Sequence, residues 1–223
     1  MIKISTRLKT ISNYIENKDR LIDVGCDHAY LSIFLKLNKD VYVIASDIVE
    51  DAIKNAKKNI KKYNLESKIK IKCCDGLSGI KKTDKINTII ISGLGYQKII
   101  KILSDYEDLN NIEKLIIQSN NYPNKIREFL IKKNYYIFDE KLIKENDIIY
   151  TILVFKKGSK KYNRRQLNFG PILLLKKDKL FVEQIKLDVK TNQKILENIP
   201  IKYLIKRIKL NNKIKKLNKE LII

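Results

Sequence analysis

The densest group of reactive side chains is Asp23-Val24-Gly25-Cys26-Asp27-His28-Ala29-Tyr30, which gathers two carboxylates, a glycine and the only histidine of the chain. It follows a short apolar run and enters a helical pattern around residues 29–37, so it is a strand-to-helix turn. Gly25 can adopt backbone angles and a closeness of approach denied to other residues. Turns that bind dinucleotides prefer G-x-G-x-x-G, because pyrophosphate must come close to the backbone. Here Asp27 takes the second glycine position. An anion there repels pyrophosphate and attracts a cation. S-adenosylmethionine carries an ammonium and a sulfonium and no phosphate, so Asp23 and Asp27 favour it over a nicotinamide dinucleotide. The alternative is an aspartate that caps the following helix.

Other candidates follow the same pattern. Asp47 closes the run Val41 to Asp47 and lies 22 residues after Gly25. An acid at that spacing can accept two ribose hydroxyls. With its neighbour Ile48 it is expected on the cofactor side, and it could also cap the next helix. Asp75 can accept from the exocyclic amine of adenine while Gly76 and Leu77 let the ring lie against the loop. An ordinary Asp-Gly turn is the alternative. Cys73 and Cys74 are expected to pack at a strand end, since no base is placed beside them. Gly93 and Gly95, in Ser92-Gly93-Leu94-Gly95-Tyr96, allow close approach of a methyl donor and its acceptor. Gln118-Ser119-Asn120-Asn121-Tyr122-Pro123 sets amides beside an aromatic, which can bond a base edge and stack on its face. A plain polar loop is the alternative. His28 is either structural or part of the pocket wall.

These residues end five apolar runs, at 21–25, 41–47, 68–75, 87–93 and 115–118, separated by helical patterns at 51–63, 96–104 and 124–133. The alternation predicts an α/β fold with a parallel sheet, whose ligands bind beyond the carboxyl ends of the strands. Two further β-rich runs, Tyr135 to Lys144 and Ile148 to Lys157, flank a hairpin turn at Glu145-Asn146-Asp147. A sheet closed by an antiparallel hairpin is the layout of a Rossmann-like class I methyltransferase. Lys156 to Asn168 reads as a basic linker, which divides the chain into 1–157 and 158–223. Beyond it, residues 180–199 and 201–221 read as two helices broken at Pro200. Phe181, Ile185, Asn192, Ile195 and Ile199 share one stripe. Ile201, Leu204 and Ile208 share a second, and Leu210, Ile214, Leu217 and Leu221 a third. An α-helical coiled-coil hairpin is expected.

Composition narrows the function classes. With 223 residues, 44% of them hydrophobic, the chain can bury a core, which excludes wholesale disorder. No apolar run approaches the roughly 20 residues of a membrane span, and Met1 to Ser5 lacks the pattern of a secretory signal. Three cysteines and one histidine argue against a disulfide framework and a zinc cage. No membrane, no metal and a cytoplasmic location are expected. The net charge of +22 is unevenly spread: 27 basic against 20 acidic residues in 1–155, and 20 against 5 in 156–223. Abundant Lys, Ile and Asn are what an AT-rich genome encodes, but that bias does not explain the asymmetry. A basic C-terminal segment suits a nucleic-acid phosphate backbone. An anionic membrane surface competes less well, because the tail's apolar residues are expected to pack.

Ser5-Thr6-Arg7-Leu8, the run Asp23 to Leu31, Asp75-Gly76-Leu77 and Phe169-Gly170-Pro171 together resemble the bacterial TrmK group, the tRNA (adenine-22 N1)-methyltransferases, through most of the chain. Two segments depart from the family pattern. Gly93-Leu94-Gly95-Tyr96 stands for the usual Gly-Met-Gly-Gly, and Gln118-Ser119-Asn120 for Gln-Pro-Asn. The resemblance implies S-adenosylmethionine as donor, a Rossmann-like catalytic domain, and a helical coiled-coil domain that helps hold tRNA. It implies that Asp23, Gly25, Asp27 and His28 hold the methionine end, Asp47 the ribose and Asp75-Gly76 the adenine. Gly93 and Asn120 would face the target base, with Tyr30 and Arg7 near the rim. Asn120, Tyr30 and His28 are the residues expected nearest the reaction. Adenine N1 has a free lone pair and needs no prior deprotonation, so positioning and desolvation would supply most of the acceleration. A monomer is expected. Competing readings are a methyltransferase acting on rRNA or protein, and a non-catalytic RNA-binding Rossmann protein.

Overall fold

Seven strands form one sheet in the computed structural model, which describes residues 2–221; Met1, where the leader reading starts, lies outside them. The strands are β1 (Arg20–Val24), β2 (Tyr42–Asp47), β3 (Ile69–Cys73), β4 (Thr88–Leu94), β5 (Lys114–Ser119), β6 (Tyr135–Glu145) and β7 (Ile148–Lys157). Their order is β3-β2-β1-β4-β5-β7-β6. The first five are parallel, and β7 runs antiparallel to both β5 and β6. The expected closing hairpin is therefore present, with β7 inserted between β5 and β6. Asn146 and Asp147 both have positive φ, +49° and +60°, which suits a tight two-residue turn.

The apolar runs are buried on both faces, as a parallel sheet covered by helices requires. Leu21, Val43, Ile90, Ile116 and Val154 face one layer, and Ile22, Ile44, Ile89, Ile91, Leu115 and Phe155 the other. The crossovers are α2 (Tyr30–Asn38), α3 (Glu50–Lys62), α4 (Tyr96–Ser104) and α5 (Pro123–Lys132). Chain order reverses between β1 and β4, so the crevice at their carboxyl ends is the switch point. An N-terminal helix, α1 (Thr6–Ser12), starts where Ser5 Oγ accepts from Leu8 N, and it carries Arg7 in its first turn.

Two clusters of charged side chains tie strands to the neighbouring loops. Asp84 accepts from Tyr42 Oη at 2.7 Å, Lys70 Nζ at 3.1 Å and Lys72 Nζ at 3.0 Å. Burial opposes its ionisation, but the Lys81 N–H, the Tyr42 hydroxyl and the two ammoniums outweigh it and hold its pKa well below the carboxylate range. Lys114 Nζ meets Asp19 Oδ2 at 2.7 Å nearby.

Contacts divide the chain into two compact units at Ile172/Leu173, later than the expected division after Lys157. The segment between stays with the first unit for identifiable reasons. Tyr162 Oη accepts from Ile137 N at 3.0 Å, and α6 (Arg164–Phe169) follows. The fully buried Arg127 and Glu140 pair at 2.6 Å, and Arg127 Nη1 donates to the Leu167 and Asn168 carbonyls. Glu140 Oε2 accepts from Ile172 N at 3.0 Å, at the start of α7 (Pro171–Lys176). Gly170, at φ +91°, lies so close to this pair that a Cβ would meet Glu140 Oε2 at 2.6 Å and Arg127 Nη2 at 2.8 Å.

The second unit is built on α8 (Lys179–Glu197) and α9 (Leu204–Leu221). Phe181, Ile185 and Asn192 are buried on α8, and Ile214 and Leu217 on α9. Of the remaining stripe positions, Ile199, Leu210 and Leu221 are half-buried, whereas Ile195, Ile201, Leu204 and Ile208 are exposed, against expectation. The helix begins at Leu204, not 201, and at this turn end Arg207 Nη1 donates to the Leu196 and Ile199 carbonyls. The described residues contain no helix long and apolar enough to cross a membrane.

Candidate active site

The first turn of the site is left-handed at several points. Gly25 has φ +72°, Asp27 +47° and Ala29 +57°. Gly25 N and Cys26 N both donate to Ser46 O, at 2.9 and 3.0 Å, which ties the turn to the end of β2. Ala29 N closes it on Cys26 O at 2.7 Å. Asp27 therefore occupies a conformation that usually selects glycine. Its N–H donates to Asp47 Oδ2 at 3.2 Å. An amide that would face phosphate in a dinucleotide site is here engaged by a carboxylate.

Neither aspartate is a helix cap. The N-cap of α2 is Ala29 and that of α3 is Val49, and neither makes a side-chain capping bond. Asp47 Oδ1 accepts from Val49 N at 3.0 Å, so its two oxygens hold two loops, each with one accepted bond. Ile48 beside it is exposed.

Asp23 is buried and accepts from Ser32 Oγ at 2.9 Å. Burial pushes its pKa up to about 6, against the Ser32 hydrogen bond and with help from the Asp47 charge. Burial and the same carboxylates raise the Cys26 thiol, which leaves it protonated and unreactive. His28 Nε2 lies 3.6 Å from Asp27 Oδ2, and its ring stacks on Tyr30 at 5.3 Å between centroids and 20° between planes. Asp23, Gly25, Asp27, His28 and Tyr30 line one pocket of about 120 Å³. Arg7 and Ser92 also belong to its wall, with Leu8, Cys26 and Leu31. Arg7 is thus a wall residue and not only a rim residue, a placement for which the Ser-x-Arg-Leu run was the sole signal.

The third strand end joins through Cys74 N, which donates to Asp47 O at 3.0 Å. Asp75 is exposed there, and Ser78 N donates to its carbonyl, so the Asp-Gly turn does form. Gly76 has φ +55°, and a Cβ on it would meet Ile102 Cγ2 at 3.0 Å. Cys73 is exposed and so does not pack at the strand end as expected, whereas Cys74 is half-buried.

The fourth and fifth strand ends are joined by amides. Gln118 is fully buried, not available to a base edge. Its Oε1 accepts from Arg7 Nη1, Ser92 Oγ and Gly93 N. Its Nε2 donates to Asn120 Oδ1 at 3.2 Å, and Asn120 Nδ2 donates to Gly93 O at 2.7 Å. Asn120 itself is exposed, as is Tyr122, which meets Tyr96 edge to face at 5.3 Å and 72°. Asp23, Asp47, Asp75, Gly93 and Asn120 thus lie at or just beyond the carboxyl ends of β1 to β5, with Arg7 reaching them from α1. Among the described residues no group of three His, Cys, Asp or Glu is placed to hold a metal ion.

Comparison with known proteins adds to this geometry. The family model for tRNA (adenine(22)-N(1))-methyltransferase, TrmK, matches residues 21–220. The tRNA (adenine(22)-N(1))-methyltransferase of Bacillus subtilis is 34% identical over 206 residues, 89% of this chain and 86% of that protein. Streptococcus pneumoniae Sp1610, solved in complex with S-adenosyl-L-methionine, is similar with a TM-score of 0.90 and 31% identity, covering 98% of this chain and 100% of that one. M. capricolum TrmK, solved with S-adenosyl-homocysteine, gives 0.89 and 30%, covering 98% of this chain and 97% of that one.

Proposed function

From the premise that the chain belongs to the tRNA (adenine(22)-N(1))-methyltransferase family, we propose how its own residues divide the work of methylating N1 of adenine 22 in tRNA with S-adenosylmethionine as donor. The donor supplies an electrophilic methyl group on a sulfonium. The observation that carries the reading is the carboxylate-lined pocket whose Asp27 amide is already held by Asp47. It suits a cationic nucleoside and offers a pyrophosphate little.

Asp23, with Gly25, Asp27 and His28, receives the methionine end. Asp47 accepts the ribose hydroxyls with the two oxygens that also hold Asp27 N and Val49 N, and Ile48 lies against the nucleoside. Asp75 and Gly76 take the adenine. Gly93 and Asn120 face the target base, with Tyr30 and His28 stacked at the rim. No proton must leave N1 before attack, so the chain's contribution is alignment and exclusion of water. Methyl transfer moves the positive charge from sulfur to the base. The Asp23 side of the pocket then faces a neutral thioether, which favours release.

The unit 1–172 does the chemistry and 173–223 holds tRNA. The second unit has 14 basic against 5 acidic residues, and the segment 156–165 adds six basic residues to the first. Both offer Lys and Arg to phosphates. The chain acts as a monomer in the cytoplasm. Incubation with donor and unmodified tRNA, rRNA or ribosomal protein, followed by nucleoside and peptide mass analysis, tests the reading. N1-methyladenosine is expected in tRNA alone; label confined to rRNA or protein would overturn it.

A further inference from the structure

Tyr122 sits at a costly backbone position for its residue type. Its φ of +45° is left-handed, a region that bulky side chains rarely adopt. It is the N-cap of α5, yet its side chain makes no capping bond there, so the helix gains nothing from the ring. Backbone strain of this kind persists where surrounding structure over-determines it, and it clusters at functional sites. The over-determination is visible. Pro123 fixes the first helical position of α5. Ser119 Oγ donates to Asn121 O at 2.6 Å, and Tyr96 N donates to Asn121 Oδ1 at 3.0 Å. The loop is thereby tied to both β5 and the start of α4.

The ring so held remains 58% exposed although Tyr96 meets it edge to face at 5.3 Å. Tyr96 stands where the family pattern has glycine, so the bracing ring belongs to this chain. Two residues before Tyr122, the exposed Asn120 amide is fixed on Gly93 O. The ends of β4 and β5 therefore present both an exposed amide and an exposed aromatic ring.

We propose that Tyr122, braced by Tyr96, is the stacking platform for the target adenine. The inference rests on the functional reading above and adds the subsite for the acceptor base. Stacking on an aromatic face is available to a base that has left its own stack. The platform also favours the product side. Attack by the N1 lone pair forms the N–CH3 bond and breaks the S–CH3 bond, which leaves the positive charge on the base, and an aromatic face attracts a cation.

The test uses the full chain with steady-state methylation of tRNA, donor titration calorimetry and thermal melting. Tyr122→Asn removes the ring while placing a residue that tolerates the left-handed backbone. It is expected to melt at or above the native temperature and bind donor unchanged. Its kcat/KM for tRNA should fall roughly 5- to 140-fold, the range of base–aromatic stacking. Tyr122→Phe restores kcat/KM by keeping the ring. Unchanged kcat/KM in Tyr122→Asn overturns the platform, as does a Tyr122→Phe chain that falls equally far. Joint loss of melting temperature and donor binding in Tyr122→Asn also overturns it, in favour of a structural role. A native chain that methylates no tRNA overturns the functional reading together with the platform.

Discussion

The Arg7 guanidinium donates to the buried Gln118 Oε1 at 2.5 Å, joining α1 to the end of β5. That oxygen also accepts from Ser92 Oγ and Gly93 N, so the amide cannot turn. Its Nε2 must face Asn120 Oδ1, and this orients the Asn120 amide toward Gly93 O. Gln118 is thus a positioning residue for Asn120. Gln118→Ala is expected to lower kcat for tRNA methylation by roughly 10- to 100-fold, the cost of a misplaced reacting group. The donor Kd should stay within about threefold of the native value. Calorimetry beside steady-state kinetics separates the two, and a donor Kd that weakens as much as kcat falls would assign Gln118 to the cofactor pocket instead.

Asp47 holds Asp27 N and Val49 N with separate oxygens. Both oxygens retain capacity for ribose hydroxyls, and hydrogen bonds to a charged group are each worth about 1.5–3 kcal/mol. Asp47→Ala should therefore weaken S-adenosylmethionine binding by more than about 100-fold. Asp47→Asn, which keeps one acceptor, should fall between. Titration calorimetry giving native affinity for Asp47→Ala would remove this residue from the site.

The Asp23 pKa, raised to about 6 chiefly by burial, sets two opposite pH dependences. The folded value lies above the ordinary 3.8. Ionised Asp23 therefore costs the free protein stability above pH 6, and the cost is relieved as pH falls toward 4. Donor binding runs the other way, since only the carboxylate attracts the ammonium. Affinity for S-adenosylmethionine should drop about tenfold from pH 7 to pH 5. Asp23→Asn should bind more weakly at pH 7 and lose most of that dependence. An equally steep profile in Asp23→Asn would place the titrating group elsewhere.

Gly170 cannot carry a side chain without displacing the Arg127–Glu140 pair. A Cβ would lie 2.6–2.8 Å from three of its atoms, at a φ of +91°. Breaking a buried pair costs about 3–5 kcal/mol, which in a chain of this size corresponds to a fall of roughly 6–20 °C in Tm. Gly170→Ala should show it by calorimetry; a shift below about 2 °C would mean that the pair relaxes freely.

The legible part of the molecule is the part governed by local pattern. Ile89-Ile90-Ile91 reads as a strand because burial on both faces demands uninterrupted apolar residues. Asp23, Asp27, Asp47 and Asp75 read as a site because each follows such a run. What stayed hidden depends on partners far apart in sequence. From sequence Gln118 reads as an amide available to a base, whereas in the fold Arg7 and Gly93 engage it from other elements. Lys156 to Asn168 reads as a linker because its composition is basic and polar. Its anchor is Arg127 and Glu140, ordinary charged residues until the fold buries them together. Ile201 lies ahead of α9, which starts three residues later than its apolar spacing suggests, and Leu204 and Ile208 inside the helix are exposed as well.

Unmodified tRNA treated with the native chain and labelled S-adenosylmethionine, then copied by primer extension, interrogates the whole scheme at once. A methyl group on N1 blocks Watson–Crick pairing, so copying should halt at adenine 22 in tRNA treated with enzyme and donor and read through when either is omitted. Full-length copies despite demonstrated donor binding, or a halt at a different nucleotide, would contradict it.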